Sequence, residues 1–288
     1  MTGVEPKRTA SQMRETIAGW RAASDSIALV PTMGNLHAGH LSLAQLAAER
    51  ADRVILTIFV NPTQFGVGED FESYPRTLAE DRALIDAAGT VDALLVPTVE
   101  EIYPHGTDNA FRLVVPPLGD ELCGASRPGH FDGVASVVLR LLNIVWPDMC
   151  VLGRKDYQQL MIVERMIADL RLPIAVIAGE TQREADGLAI SSRNHYLTND
   201  ERKTAPLLHA TLQQIGDRLA AGERDYAALE GDAVAMLNNS GFRTDYVEIR
   251  VAEDLGKPNG RHAPTELVVL AAAWLGRARL IDNLIVSG

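Results

Sequence analysis

IALVPTMGNLHAGH, residues 27 to 40, decides how this chain is read. Ile27–Thr32 is a short apolar run that reads as a strand, and residues 41–51, rich in Leu, Ala and Glu, read as a helix. Between them stand Gly34 and Gly39, with His37 and His40 in the same turn. Strand, glycine-bearing turn and helix together open a βαβ unit. Three roles remain open for the two rings: a metal site, a phosphate cradle, or a tight connection and nothing more. A helix starting near Gly39 or His40 presents unpaired backbone N–H groups and a partial positive charge to an anion. The glycines let backbone approach that anion closely. A metal would need a third ligand, and no partner of matching spacing stands nearby. Phosphate is the favoured reading.

Outward from that turn, strands and helices alternate. Arg53–Val60 (RVILTIFV) is a nearly all-apolar strand, as expected where both faces of a parallel sheet are covered. Thr77 with Glu80 forms a capping-box signature for a helix, and Val91–Pro97 follows as a strand. Phe131–Val145 reads as a helix, Asp148–Leu152 as a strand, Tyr157–Leu170 as a helix and Ile174–Ala178 as a strand. This rhythm predicts an α/β fold with a doubly wound parallel sheet. Past residue 182 the pattern changes. Thr198 and Glu201 open a long helix to Ala221, a second helix covers Tyr226–Asn238, and Asp245–Val251 and Leu267–Trp274 read as strands. The expectation is two domains, 1–182 and a smaller α+β domain over 183–288.

Charge excludes some classes of partner. Twenty-seven Lys+Arg against 38 Asp+Glu give a net charge of −11, and no basic run appears. Nucleic acid and anionic membrane are therefore not expected as partners. The two cysteines, Cys123 and Cys150, fit a reducing compartment. The N-terminal stretch has no apolar signal region, and Leu267–Leu275 is too short to span a bilayer. A cytoplasmic protein is expected.

Four further loops carry chemistry. In FVNPTQFGVGEDFESYPRT (59–77), Asn61, Gln64 and Tyr74 both donate and accept, which suits hydroxyls and a carboxylate, or simply makes a polar loop. In CGASRPGHF (123–131), Arg127 offers a bidentate anion fork unless it is merely solvated, and His130 is packed or at the surface. LGRKDYQQL (152–160) places Lys155 at a strand end as a polyphosphate partner. There Asp156 caps a helix or holds a ribose or a metal, and Gln158 and Gln159 lie at the helix start. In READGLAISSRNHYL (183–197), Ser191, Ser192 and Arg193 form a donor cluster that is either a lid over phosphates or a linker. Each loop alone is weak. Together they converge on a nucleoside triphosphate.

In that order and spacing PTMGNLHAGH, FVNPTQFGVGEDFESYPRT, RPGHFDGVASVV, GRKDYQQL and ADGLAISSRN resemble the pantoate–β-alanine ligase family, within the wider HxGH nucleotidyltransferases. The likeness runs to the ending ARLIDN. It implies a Rossmann-like domain binding ATP and pantoate, a C-terminal lid domain, and usually a homodimer. The implied reaction activates (R)-pantoate with ATP and Mg²⁺ to pantoyl adenylate and pyrophosphate. β-Alanine then displaces AMP to give pantothenate.

By the same resemblance Met33 to His40, with Gly34, His37 and Gly39, would hold ATP, and His40 would be the proton donor. Gly153 to Asp156, including Lys155, and Ile190 to Arg193 would complete that site, with a backbone contact to adenine at Gln182. Gln64 would touch pantoate and β-alanine, and Gln159 pantoate, with Asn61 and Tyr74 close by. The metal ligands are left unassigned, with Asp81 carried as the candidate. Cys123, Arg154 and Gln182 depart from the residues most often expected at their positions. A nucleotidyltransferase with a phosphorylated acceptor is disfavoured by the absence of a basic cluster around Asn61 and Gln64. A tRNA-charging enzyme is disfavoured by the negative charge, and a non-catalytic sensor would have no need of both histidines, Lys155 and the Ser-Ser-Arg cluster.

Overall fold

Successive residues of the central strands feed opposite cores, which is why those strands read as unbroken apolar runs. The computed structural model describes residues 3–66, 68–115 and 117–287. The chain forms two units, one running to Arg154 and resuming over Gln159–Glu180, the other made of Lys155–Gln158 and everything from Thr181 onward.

The first unit holds strands β1 (Pro6–Lys7), β2 (Ile27–Thr32), β3 (Arg53–Ile58), β4 (Ala93–Leu95), β5 (Met149–Gly153) and β6 (Ala175–Gly179). They pair in parallel in the order β1-β4-β3-β2-β5-β6. Its helices are α1 (Ala10–Ala22), α2 (Ala38–Ala48), α3 (Leu78–Ala88), α4 (Val99–Ile102), α5 (Cys123–Ser126), α6 (His130–Val145) and α7 (Tyr157–Asp169). Ile27, Leu29, Ile55 and Cys150 enter a core with α1, α6 and α7. Ala28, Val30, Leu56 and Val151 enter a second core with α2 and α3. Each fully buried Leu or Ile contributes about 1.5–3 kcal/mol. Burial also pushes the Cys150 thiol up to about 12, so it acts as a small apolar side chain.

Strand order reverses between β2 and β5, and in such sheets ligands bind beyond the carboxyl ends of the strands flanking the reversal. The turn after β2 and Gly153 at the end of β5 lie at that point.

The second unit carries α8 (Asn199–Thr204), α9 (Leu207–Ala220), α10 (Tyr226–Asn239), β7 (Arg243–Val251), β8 (Leu267–Leu275) and β9 (Ala278–Ile285). The three strands form an antiparallel sheet in the order β7-β8-β9. Leu212, Ile215 and Leu219 of α9 and Leu229 and Leu237 of α10 share its core.

The elements differ from expectation in several places. α2 begins at Ala38, before the apolar stretch, and so takes His40 into its first turn. Thr77 does not cap α3, because its hydroxyl donates to Asp81 instead. The Thr198 capping box forms, but Pro206 divides the single expected helix into α8 and α9. α1 and β9 were not foreseen: α1 buries only Met13 and Ile17, and β9 carries Asp282 and Asn283, residues that strands usually avoid. Among the described residues no helix is long and apolar enough to cross a membrane.

Candidate active site

The turn after β2 is held in an unusual backbone shape. Gly34 (φ 83°) and Asn35 (φ 51°) are both left-handed, and a Cβ on Gly34 would lie 2.9 Å from Ile58 Cγ2. Asp81, only 1% exposed, ties the turn down: its carboxylate accepts from Asn35 N–H at 3.0 Å, Leu36 N–H at 2.7 Å and Thr77 Oγ1 at 3.2 Å. Three donors on a buried carboxylate make Asp81 the anchor of the turn. Thr32 adds a second tie, its hydroxyl donating to the Thr57 carbonyl at 2.6 Å and accepting from Gly34 N–H at 3.2 Å.

The turn delivers the two histidines to the N-terminus of α2. His37 occupies the N-cap position with extended backbone and without a side-chain cap. Its ring stacks on His40, with centroids 4.0 Å apart and planes 24° apart. A Cβ on Gly39 would lie 3.0 Å from the His37 ring, so glycine makes room for the pair. Both rings and Met33 are half-buried at the carboxyl end of the sheet.

The loop after β3 is organised by residues far away in sequence. Asn61 is 1% exposed and spends its whole amide inside the protein. Its Nδ2 donates to the Gly133 carbonyl and to Gln64 Oε1, both at 3.1 Å. Its Oδ1 accepts from Tyr103 OH at 2.7 Å and from Thr63 Oγ1 at 3.1 Å. Asn61, expected near the substrate, holds the Gln64 amide. Gln64 Nε2 points to Met33 Sδ at 3.1 Å, so the loops after β2 and β3 meet. Tyr74 is buried, its ring edge-on to Phe65.

Arg127 has partners within the protein. Its fork closes on Glu69, with Nε–Oε1 at 2.7 Å and Nη2–Oε2 at 2.5 Å. Burial would raise the Glu69 carboxyl, but Arg127 outweighs it and holds Glu69 below the usual range. Arg127 Nη1 also donates to His130 Nε2 at 2.8 Å, and His130 Nδ1 donates to the Gln64 carbonyl at 2.7 Å. A carbonyl only accepts, so His130 carries its proton on Nδ1. Arg127 thus holds the Gln64 loop and is not an open anion fork.

At the end of β5, Arg154 pairs with Glu180 at 3.3 Å, and Gln159 is half-buried at the start of α7. In the second unit Lys155 Nζ lies 3.8 Å from Asp156 Oδ2, and the Lys155 carbonyl accepts from Asn283 Nδ2 at 2.9 Å. Asp156 is exposed. Ser191, Ser192 and Arg193 enter a tight turn in which Ser191 Oγ accepts from Arg193 N–H at 3.3 Å. A short hairpin leads into it, with Ile190 N–H donating to the Gln182 carbonyl at 2.9 Å. Arg183 in that hairpin makes a two-pronged ion pair with buried Asp282 at 2.7 and 2.9 Å. A cavity of about 10 Å³ beside Lys155, Ser191 and Asp282 has room for a water and not for a nucleotide.

Sequence reasoning missed Glu69, Tyr103, Gly133, Arg183 and Asp282. The signals available were the motif stretches themselves: Glu69 stands in FVNPTQFGVGEDFESYPRT, Gly133 in RPGHFDGVASVV, Arg183 in READGLAISSRNHYL and Asp282 in ARLIDN, while nothing marked Tyr103.

The family model of pantoate-beta-alanine ligase matches residues 6–285. Pantothenate synthetase of Shewanella amazonensis is 53% identical over 276 residues, covering 96% of this chain and 97% of the relative. The crystal structure of pantothenate synthetase from Thermus thermophilus superposes with a TM-score of 0.88 at 42% identity, over 99% of this chain and 100% of that one. Pantoate-beta-alanine ligase from Francisella tularensis, crystallised with beta-gamma ATP and beta-alanine, gives a TM-score of 0.82 at 33% identity, over 99% of each chain. A stacked histidine pair at the switch point, a glutamine loop locked beside it and likeness over nearly the whole length agree: the chain belongs to the pantoate–β-alanine ligase family.

Proposed function

We propose that this enzyme, by family an ATP-dependent ligase of pantoate and β-alanine, works through a pantoyl adenylate. The observation that carries the reading is the His37–His40 stack at the N-terminus of α2, held there by Asp81. A carboxylate oxygen of pantoate attacks the α-phosphorus of ATP, and the bond from that phosphorus to the bridging oxygen breaks, releasing pyrophosphate. Pantoate is already ionised at neutral pH, so no base is needed. The work lies in bringing two anions together and stabilising charge on the leaving group. The first turn of α2 offers N–H groups for phosphate, with Met33, Gly34 and Gly39 allowing close approach and His40 giving a proton. By the family resemblance Lys155, the Ile190–Arg193 turn and Gln182 are also assigned to ATP, with Gly153 and Asp156 beside Lys155 in sequence. Gln64 and Gln159 are assigned to pantoate.

In the second step the neutral amine of β-alanine attacks the acyl carbon, AMP leaves with one former carboxylate oxygen, and the amine loses a proton. Mg²⁺ belongs to this reading as an ion carried by the nucleotide. Mg²⁺ usually keeps several waters and binds mainly through substrate phosphates. When bound, it would offset charge on the polyphosphate.

A homodimer is also proposed. Phe111 and Val114 are 96% and 74% exposed on a segment lying along α6, where Arg140 Nη2 holds the Phe111 carbonyl at 2.7 Å. A cytoplasmic setting is supported by two free cysteines, one of them buried. The reaction is tested by supplying ATP, Mg²⁺ and pantoate without β-alanine. Pyrophosphate should appear, with AMP following only when β-alanine is added. Pyrophosphate that appears only once β-alanine is added would refute the two-step order.

A further inference from the structure

The Gln64 amide has a defined polarity, and a chain of hydrogen bonds running back to Tyr103 sets it. Asn61 is oriented by two backbone groups whose roles cannot reverse. The Gly133 carbonyl only accepts, at 3.1 Å from Nδ2, and the Thr63 N–H only donates, at 3.4 Å from Oδ1. Tyr103 OH reinforces this by donating to Oδ1 at 2.7 Å. The second Asn61 N–H then meets Gln64 Oε1 at 3.1 Å, which turns the Gln64 NH₂ toward Met33. One N–H of that group points to Met33 Sδ, leaving the other for a ligand.

Tyr103 is suited to the task. Burial pushes its hydroxyl up, above its ordinary value despite Thr63, Arg140 and Asn61, so it remains a donor. Its ring lies under the Arg140 guanidinium at 4.7 Å. α6 approaches the loop so closely that a Cβ on Gly133 would lie 2.4 Å from the Thr63 carbonyl oxygen and 2.7 Å from Gln64 Cα.

We propose that Asn61, braced by Tyr103, is a specificity-determining positioning residue: it fixes Gln64 as a hydrogen-bond donor and so selects an acceptor-only group, a carboxylate, over its neutral amide. This rests on the reading that Gln64 faces the small substrates. The carboxylate is that of pantoate or of β-alanine, and separate titrations distinguish them.

The test compares wild type, Tyr103→Phe, Asn61→Asp and Gln64→Ala. For each, the KM of pantoate, β-alanine and ATP is measured, with inhibition by the carboxamides of pantoate and of β-alanine. Tyr103→Phe should raise the KM of one small substrate by about tenfold while the KM of ATP holds. Asp at 61 still accepts from Tyr103 and Thr63, but its other oxygen faces the accept-only Gly133 carbonyl; the one proton it can keep bonds there, none is left for Gln64 Oε1, and the Gln64 amide reverses. The acid-to-amide affinity ratio for that substrate should then fall by about tenfold or more. General loosening would weaken acid and amide alike and leave the ratio unchanged. An unchanged ratio in both variants, with Gln64→Ala still raising a small-substrate KM, overturns the inference and leaves the site standing. If Gln64→Ala changes neither small-substrate KM, the site reading itself falls.

Discussion

His40 and Lys155 are the residues whose loss bears most directly on the first half-reaction. Each is proposed to meet charge that develops on phosphate, and removing one such donor costs about 3–4 kcal/mol of transition-state stabilisation. His40→Ala and Lys155→Ala should therefore each slow pyrophosphate release from ATP and pantoate by about 10²–10³-fold while circular dichroism stays native. Wild-type rates in either variant would remove that residue from the site. What the sequence tells about single residues stops at their type. PTMGNLHAGH is legible because its glycines, its rings and the helix start are neighbours. Its anchor is not, because Asp81 lies 46 residues from Asn35 and sits inside an ordinary helical pattern. The protein partners of Asn61 and Arg127 are hidden for the same reason. Both are fit for a ligand by type, and both are taken by partners, Tyr103 and Glu69, that lie 42 and 58 residues away.

Among the elements, β2, β3 and β5 could be read from sequence because they are buried on both faces. β9 was hidden by Asp282 and Asn283, and those two residues explain what the strand does. Asp282 is 4% exposed and pairs with Arg183 of the hairpin leading to Ser191, with His209 Nδ1 3.4 Å away. Asn283 holds the Lys155 carbonyl. Burial alone would raise the Asp282 carboxyl, but His209 and Arg183 reverse the direction and keep it below the usual range. Because an unfolded Asp binds protons at about pH 3.9 while the folded one still resists, the unfolded state gains protons first. The ion pair's contribution is thus complete above about pH 4 and is lost as pH falls through the folded value. Breaking the pair with Asp282→Ala should cost about 3–5 kcal/mol in urea unfolding at pH 7, because Arg183 is left largely buried and uncompensated. Its stability should also change less than the wild type's between neutral pH and pH 3. Equal acid sensitivity in both proteins would show that Asp282 carries none of it.

For the molecule as a whole, the alternation of strand and helix and the change of pattern beyond residue 182 were enough to predict a doubly wound sheet with an α+β unit. The assignment of Lys155–Gln158 to the second unit could not be read locally, since it follows from contacts such as Tyr157 OH to the Ala252 carbonyl at 2.8 Å. Assembly is tested by sedimentation: the wild type should run as a dimer and Phe111→Asp as a folded monomer, and a monomeric wild type would end the dimer proposal. The adenylate is the central claim, and oxygen labelling tests it most directly. With pantoate carrying ¹⁸O in its carboxylate, one labelled oxygen should appear in each AMP and the other remain in the amide carbonyl of pantothenate. Unlabelled AMP, or label in phosphate or pyrophosphate, would contradict attack by the pantoate carboxylate on the α-phosphorus.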